Sequence, residues 1–206
     1  MTTTVNTDAP AYMVDGVLTD GEPWVALSTT VLTGDANSVT LTSSTGANDW
    51  SQYIDLVMII NARNDYGDAG NASGYTILTQ LNDDSGTNYP WERFYGSGSG
   101  NAQAQFHSTS VGAVTGYAGA INDADVFSGI TVRFADINSG KWKVVHSLSA
   151  NATDDSSYQS VYSTGCFWKN TAAIIKMQIF ADTDGTYNFV ADSRFDLFGV
   201  LPRMVS

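Results

Sequence analysis

The side chains able to do covalent chemistry are few in this 206-residue chain. Nucleophilic hydrolysis needs a base beside the nucleophile, usually histidine, yet the chain holds only His107 and His146 and no strained Gly-x-Ser-x-Gly turn. His146 falls on the apolar phase of a strand-like run, which predicts a core or interface histidine, and His107 sits by a loop and reads as surface. Paired carboxylates could do glycosidase work, but 21 Asp and Glu offer many chance pairs and nothing selects one. Asp65 and Asp68, near Asn61, Asn64 and Asn71, have oxygens suited to calcium, and Asp182 with Asp184 has the opening spacing of a calcium loop. That second pair lacks a third ligand followed by Gly at the proper place and a closing Glu, so a turn is the expectation. Trp24, Trp50, Trp91, Trp142 and Trp168 are candidate sugar-stacking platforms; most lie in or beside strand-like runs, where core or interface packing is expected. Asn71-Ala72-Ser73 and Asn151-Ala152-Thr153 match glycosylation acceptors, which carry little weight without a secretory signal. The expectation is therefore no enzyme, with no catalytic, cofactor-binding or metal residue assigned and no cofactor.

Hydrophobic residues make up 43% of the chain and charged residues 15%, enough apolar surface to offset ordering entropy. Nine Lys and Arg against 21 acids leave a formal charge of -12, which argues against nucleic acid and anionic membranes as partners. A charged partner should be basic. The acidity also serves plain solubility. Cys166 is the only cysteine, so an intrachain disulfide is excluded. The first ten residues lack the basic and apolar regions of a signal peptide, and no apolar run reaches the roughly 18 residues of a membrane span. Synthesis in the cytoplasm is expected.

Nineteen glycines and frequent Thr, Ser, Asn and Asp punctuate short runs rich in Val, Ile, Thr, Tyr and Phe, the pattern of an all-β chain. Strands are predicted at 24–32, 37–42, 53–62, 75–82, 89–95, 128–137, 142–149, 158–168, 174–181 and 186–200. Ile130, Val132 and Phe134 share one face, opposite Thr131 and Arg133. Trp142, Val144, His146 and Leu148 alternate with Lys143, Val145 and Ser147, and Ile175, Met177 and Ile179 with Lys176 and Gln178. These read as half-buried strands of an antiparallel sandwich. Leu56 to Ile60 is apolar on both phases, which predicts a central strand covered on both faces or one face given to another subunit. Asp184-Gly185 predicts a hairpin that pairs the last two strands. Residues 1–23, broken around Pro10, Gly16 and Pro23, read as an extended N-terminal arm, and 24–206 as one β-sandwich domain. Segments 61–74 and 96–105 read as polar loops.

Four stretches carry a family resemblance that covers about residues 24–200. They are WVALSTTVLTGDANSVTLTSSTGANDWSQYIDLVMIINARND (24–65), TQLNDDSGTNYPWERFYGSGSG (79–100), STGCFWKNTAAIIKMQIF (163–180) and YNFVADSRFDLFGV (187–200). Together they resemble the small β-sandwich virion proteins of tailed bacteriophages, found as particle proteins or as modules of tail proteins. Asp192-Ser193 and Phe198 depart from the commoner residues of that family's closing strand. In this comparison NDDSGTNY looks like a hairpin tip, KNTAAI like the lead-in to a penultimate strand, and FDLFGV like a closing strand pairing with it. The resemblance implies a single antiparallel β-sandwich, jelly-roll-like, on the exterior of a virion and assembled there after synthesis in the host cytoplasm. It implies a non-enzymatic capsid decoration (cement) protein that binds assembled subunits, or alternatively a tail fibre or adhesion module binding a host surface glycan. The implied partners are other copies of the chain, guessed as a trimer, with the major capsid protein or a tail protein, and a possible host glycan. A glycan depolymerase is the least supported class, because the chain shows no repeat.

Overall fold

The structure is a computed structural model that describes residues 13–14, 17–18, 24–66, 75–97, 102–107, 112–118, 125–151, 160–182 and 185–201. Period-two burial builds it. In β10 (Ser128–Ala135) Ile130, Val132 and Phe134 are at most 2% exposed while Gly129, Thr131 and Arg133 face out, as the alternation predicts. The inward residues meet those of β5 (Asp55–Ala62), where Leu56, Met58 and Ile60 are buried in register. Val57, on the outward phase, is also buried, flanked across its two ladders by Arg133 and by Phe198 of β14 (Arg194–Val200). For Val57, the central-strand alternative accounts for apolarity on both phases.

One sheet has eight strands and the other four, all paired antiparallel. In the larger sheet β3 (Trp24–Val31), β14, β5 and β10 are neighbours in that order. The smaller sheet runs β4 (Ser38–Thr42), β13 (Lys176–Phe180), β6 (Tyr75–Leu81), β9 (Ala113–Ala118). Taken by themselves, these eight strands lie as first–eighth–third–sixth over second–seventh–fourth–fifth, which is the strand order of a jelly roll. Two further pairs extend the larger sheet beyond β10: β11 (Lys143–Asn151) with β12 (Ser160–Trp168), then β7 (Trp91–Ser97) with β8 (Ala102–His107). We call this extension the wing. No helix among the described residues is long and apolar enough to cross a membrane.

Several expectations are corrected. Of the expected 96–105 loop, 96–97 and 102–105 are strand, because β7 continues to Ser97 and β8 begins at Ala102, paired Gly96 to Ala102 and Trp91 to His107, while 98–101 lie outside the described residues. Its small and polar residues hide the strand from a reading of sequence. β9 was likewise invisible, interrupted by Gly116. The last two strands do not pair: β13 lies between β4 and β6, and β14 between β3 and β5, so the Asp184-Gly185 segment crosses between sheets instead of closing a hairpin. The predicted 186–200 strand shortens to β14, since Asp192 turns the chain at positive φ and Phe189 makes only isolated bridges, to Ala36 and Asn64. Of residues 1–23, Met13–Val14 pair with Val17–Leu18, and the rest of the expected arm lies outside the described residues.

The NDDSGTNY stretch is also an inter-sheet crossing rather than a hairpin tip, since β6 and β7 belong to different sheets. The Asp84 carboxylate accepts from Trp168 Nε1 at 2.8 Å, from Asn88 Nδ2 and from the Gly86 amide. Burial pushes its pKa up, but these hydrogen bonds outweigh burial and hold it below the usual carboxylate value. Asn82, at φ 53°, accepts from the Ile175 and Lys176 amides and donates to the Ala173 carbonyl, docking this crossing onto the lead-in to β13.

Gly199 marks a close approach. A Cβ there would lie 2.5 Å from the ring of Tyr53, itself buried in the core. Gly199→Ala is expected to cost about 1–3 kcal/mol by overpacking, read as a lower urea midpoint with unchanged slope. Pairing it with Tyr53→Leu, which frees the ring's space, should recover part of that loss.

Candidate functional site

The residues with chemical potential are mostly committed to structure. Asp65 accepts from the Asn188 amide and its Nδ2, both at 2.8 Å. Asn64 is buried and Asn61 exposed, while Asp68 and Asn71 lie outside the described residues. Asp182 accepts three backbone N–H groups, from Gly185, Thr186 and Tyr187, and Asp184 is outside the described residues. Among the described residues no three His, Cys, Asp or Glu side chains gather as a metal site would require. Trp50, Trp91 and Trp168 are core residues, whereas Trp24 and Trp142 are exposed. Asn151 of the second glycosylation match is buried, and Asn71 of the first is not described. His107 is the last residue of β8, and its side chain is outside the described residues.

His146 is not a core residue. It stands exposed on β11, its Nε2 3.2 Å from Ser163 Oγ. The whole phase of β11 is inverted from expectation: Val144 and Leu148 are exposed with it, while Lys143, Val145, Ser147, Ser149 and Asn151 point inward. The neighbour decides this. Ladder pairing sets Val132 beside Ser147 and Ile130 beside Ser149, and paired residues share a face, so once β10 turns Ile130, Val132 and Phe134 into the core β11 has no choice. The buried Lys143 ammonium donates to the carbonyls of Lys141 and Thr171, and burial lowers its pKa, partly opposed by Asp136. The Ser147 and Ser149 hydroxyls have no hydrogen-bond partner among the described residues.

What this inversion leaves outside is an apolar sheet face. Across β10, β11, β12 and β7 the outward residues form four rows, fixed by register. The first is Ala135, Val144, Phe167 and Pro90, the last joined because the Phe167 amide donates to the Pro90 carbonyl at 3.0 Å. The second is Arg133, His146, Gly165 and Glu92; the third Thr131, Leu148, Ser163 and Phe94; the fourth Gly129, Ala150, Val161 and Gly96. Val144, Leu148, Val161, Phe94 and Phe167 are 43–59% exposed. Glu92 is the sole acid in these rows, and the Arg133 guanidinium bonds Asp55 through Nε and Nη2 at 2.9 and 2.7 Å. Between Phe94 and Phe167 lies an open groove of about 400 Å³ over Gly165, bordered by Glu92 and Ser163.

The underside of the wing is stiffened. Arg93 lies 5.1–5.8 Å from the ring centres of Trp91, Tyr95, Tyr117 and Tyr162, and Tyr117 stacks on Tyr162 at 4.0 Å. Burial lowers the Arg93 pKa, against the raising effect of Tyr162 and Tyr95. Tyr117 comes from β9, so this cluster clamps the wing to the smaller sheet.

Sequence reasoning found the apolar phase of β11 but assigned it to the wrong side. Phe94 and Phe167 were within predicted strands, yet only the register shows that they flank Gly165. Fold and face together define a jelly-roll domain with an exposed, apolar-rich sheet face that the described residues of its own chain do not cover. The sequence matches no protein-family model and no curated protein.

Proposed function

We propose that the chain is a non-enzymatic structural protein on the exterior of a tailed-phage virion, a capsid decoration protein that stabilises the head by binding assembled subunits. The observation that carries this reading is the outer face of the wing, since a sheet face with several large apolar side chains left exposed marks an interaction site. Jelly rolls serve both viral capsids and lectins, and the resemblance of residues 24–200 to phage particle proteins favours the former. Asp55, Asp65, Asp84 and Asp182 are engaged in structural hydrogen bonds, which supports a role without a catalytic step. A protein that binds only the assembled shell stabilises it by mass action, so modest contacts per copy add over many copies. Quantitative mass spectrometry of purified virions tests it: copies comparable in number to the major capsid protein are expected, and absence from particles sinks the reading.

A tail adhesion module binding a host glycan is the second reading. The groove between Phe94 and Phe167, with Glu92 and Ser163 at its border, favours it, because aromatic faces pack on the apolar faces of sugars and flanking polar groups orient hydroxyls. The same measurement separates the two, since a tail module is present in far fewer copies than the major capsid protein.

A further inference from the structure

We propose that the outer face of the wing is closed by the same face of a second copy of this chain, across a two-fold axis lying in the interface parallel to the strands. The inference concerns what covers the face and holds wherever the protein resides.

Self-complementarity carries the proposal. A two-fold along the strands lays each row on itself in reverse order, so the first position meets the fourth and the second meets the third. In the second row this sets Arg133 against the other copy's Glu92, and His146 above the other copy's Gly165. Nothing lies within 4 Å of where a Gly165 Cβ would be, which leaves room for an imidazole in the groove. In the third row Phe94 meets Thr131 and Leu148 meets Ser163, large against small twice over. Val144 meets Phe167 in the first row and Val161 meets Ala150 in the fourth. A two-fold across the strands instead lays the second row on the third, which buries Glu92 against Phe94 and Arg133 against Thr131. That arrangement strands the Glu92 carboxylate, while Arg133 keeps only its Asp55 partner, and is disfavoured.

Charge and area agree. Copies of formal charge -12 repel, so self-association requires a face poor in acids, and these rows carry one acid among sixteen positions, matched by Arg133. Strand and residue spacings give the grid with its side-chain margins about 500 Å² per copy, or about 1,000 Å² in total, at the lower end of specific interfaces. The dimer should therefore dissociate on dilution. Packed sheets align to within about 30°, so the matches hold best in the central rows and loosen outward.

The test uses the full chain. Sedimentation equilibrium should show a monomer–dimer equilibrium, and Leu148→Asp should shift it to monomer while the circular dichroism spectrum and melting temperature stay those of a folded chain. Register is tested by mixing two variants, His146→Cys and Gly165→Cys, under mild oxidation. A covalent dimer is expected in the mixture and in neither variant alone, with the unsubstituted chain as control for the buried Cys166. A monomer at all concentrations, a trimer, or a dimer indifferent to Leu148→Asp or without the mixed cross-link would each overturn the proposal. Monomeric protein would leave the virion reading standing, and absence from virions would leave the dimer standing.

Discussion

Replacing Asp182 by alanine is expected to lower stability by about 3–5 kcal/mol, a large share of the 5–15 kcal/mol that holds a typical domain together. The side chain is 1% exposed, and its two oxygens accept from the Gly185 amide at 2.6 Å, Thr186 at 2.8 Å and Tyr187 at 2.7 Å. Alanine leaves those donors without the carboxylate that orients them. The consequence travels, because this loop is the crossing between β13 and β14. Asn37 Nδ2 donates to the Tyr187 carbonyl, the Tyr187 ring meets Tyr66 edge-on at 5.0 Å, and Phe189 bridges to Ala36 and Asn64 before stacking edge-on against Phe195 in the core. Asp182→Asn keeps one acceptor oxygen and should recover roughly half of the loss. Urea unfolding with both variants checks the prediction; an alanine variant within 1 kcal/mol of the parent chain would show that water replaces the carboxylate.

How much of this was legible in the sequence depends on which physical term decided each feature. Alternation named the faces of β10 correctly because the large apolar residues Ile130, Val132 and Phe134 all fall on one phase and Thr131 and Arg133 on the other. For β11 both phases were mixed, with Val145 on one and Val144 and Leu148 on the other, and the choice fell to pairing with β10, a non-local constraint that a single strand does not contain. The core alternative for His146 failed for that reason alone. The Asp184-Gly185 signal failed differently: it correctly marked a turn, but turn chemistry says nothing about whether the strands it joins lie in one sheet or two. In a jelly roll the crossing between seventh and eighth strands changes sheet, and Asp182, singled out for a spacing like that of a calcium loop, supplies the hydrogen bonds that shape it. β8 escaped because Ala102 to His107 has no run of β-branched residues. The docking face was the least legible feature, since it consists of residues from four strands that only register places in rows.

Alkaline pH should unfold this protein through its single thiol. Cys166 points inward from β12, fully buried beside β9, and burial pushes its pKa from about 9.0 up to about 12, against the smaller lowering effects of hydrogen bonds involving the Val114 and Phe167 backbone. Below pH 9 the thiol is protonated in the folded and unfolded chain alike, and its contribution is fully present. Above that, the unfolded chain releases the proton while the folded one retains it, so the unfolded state binds fewer protons and stability falls as pH rises. At 1.36 kcal/mol per unit the three units between those two values amount to about 4 kcal/mol by pH 12. Burial also raises the pKa of the Tyr89 hydroxyl, which adds a decline of the same sign at higher pH. Cys166→Ala separates the two: it removes the thiol at the cost of a small cavity, starting about 1 kcal/mol less stable at pH 7 and losing less between pH 9 and 12, so the two stability curves converge and then cross. Urea midpoints measured in half-unit steps across that window would show the crossing, and parallel curves would mean that the folded chain already gives up the Cys166 proton near its ordinary pKa.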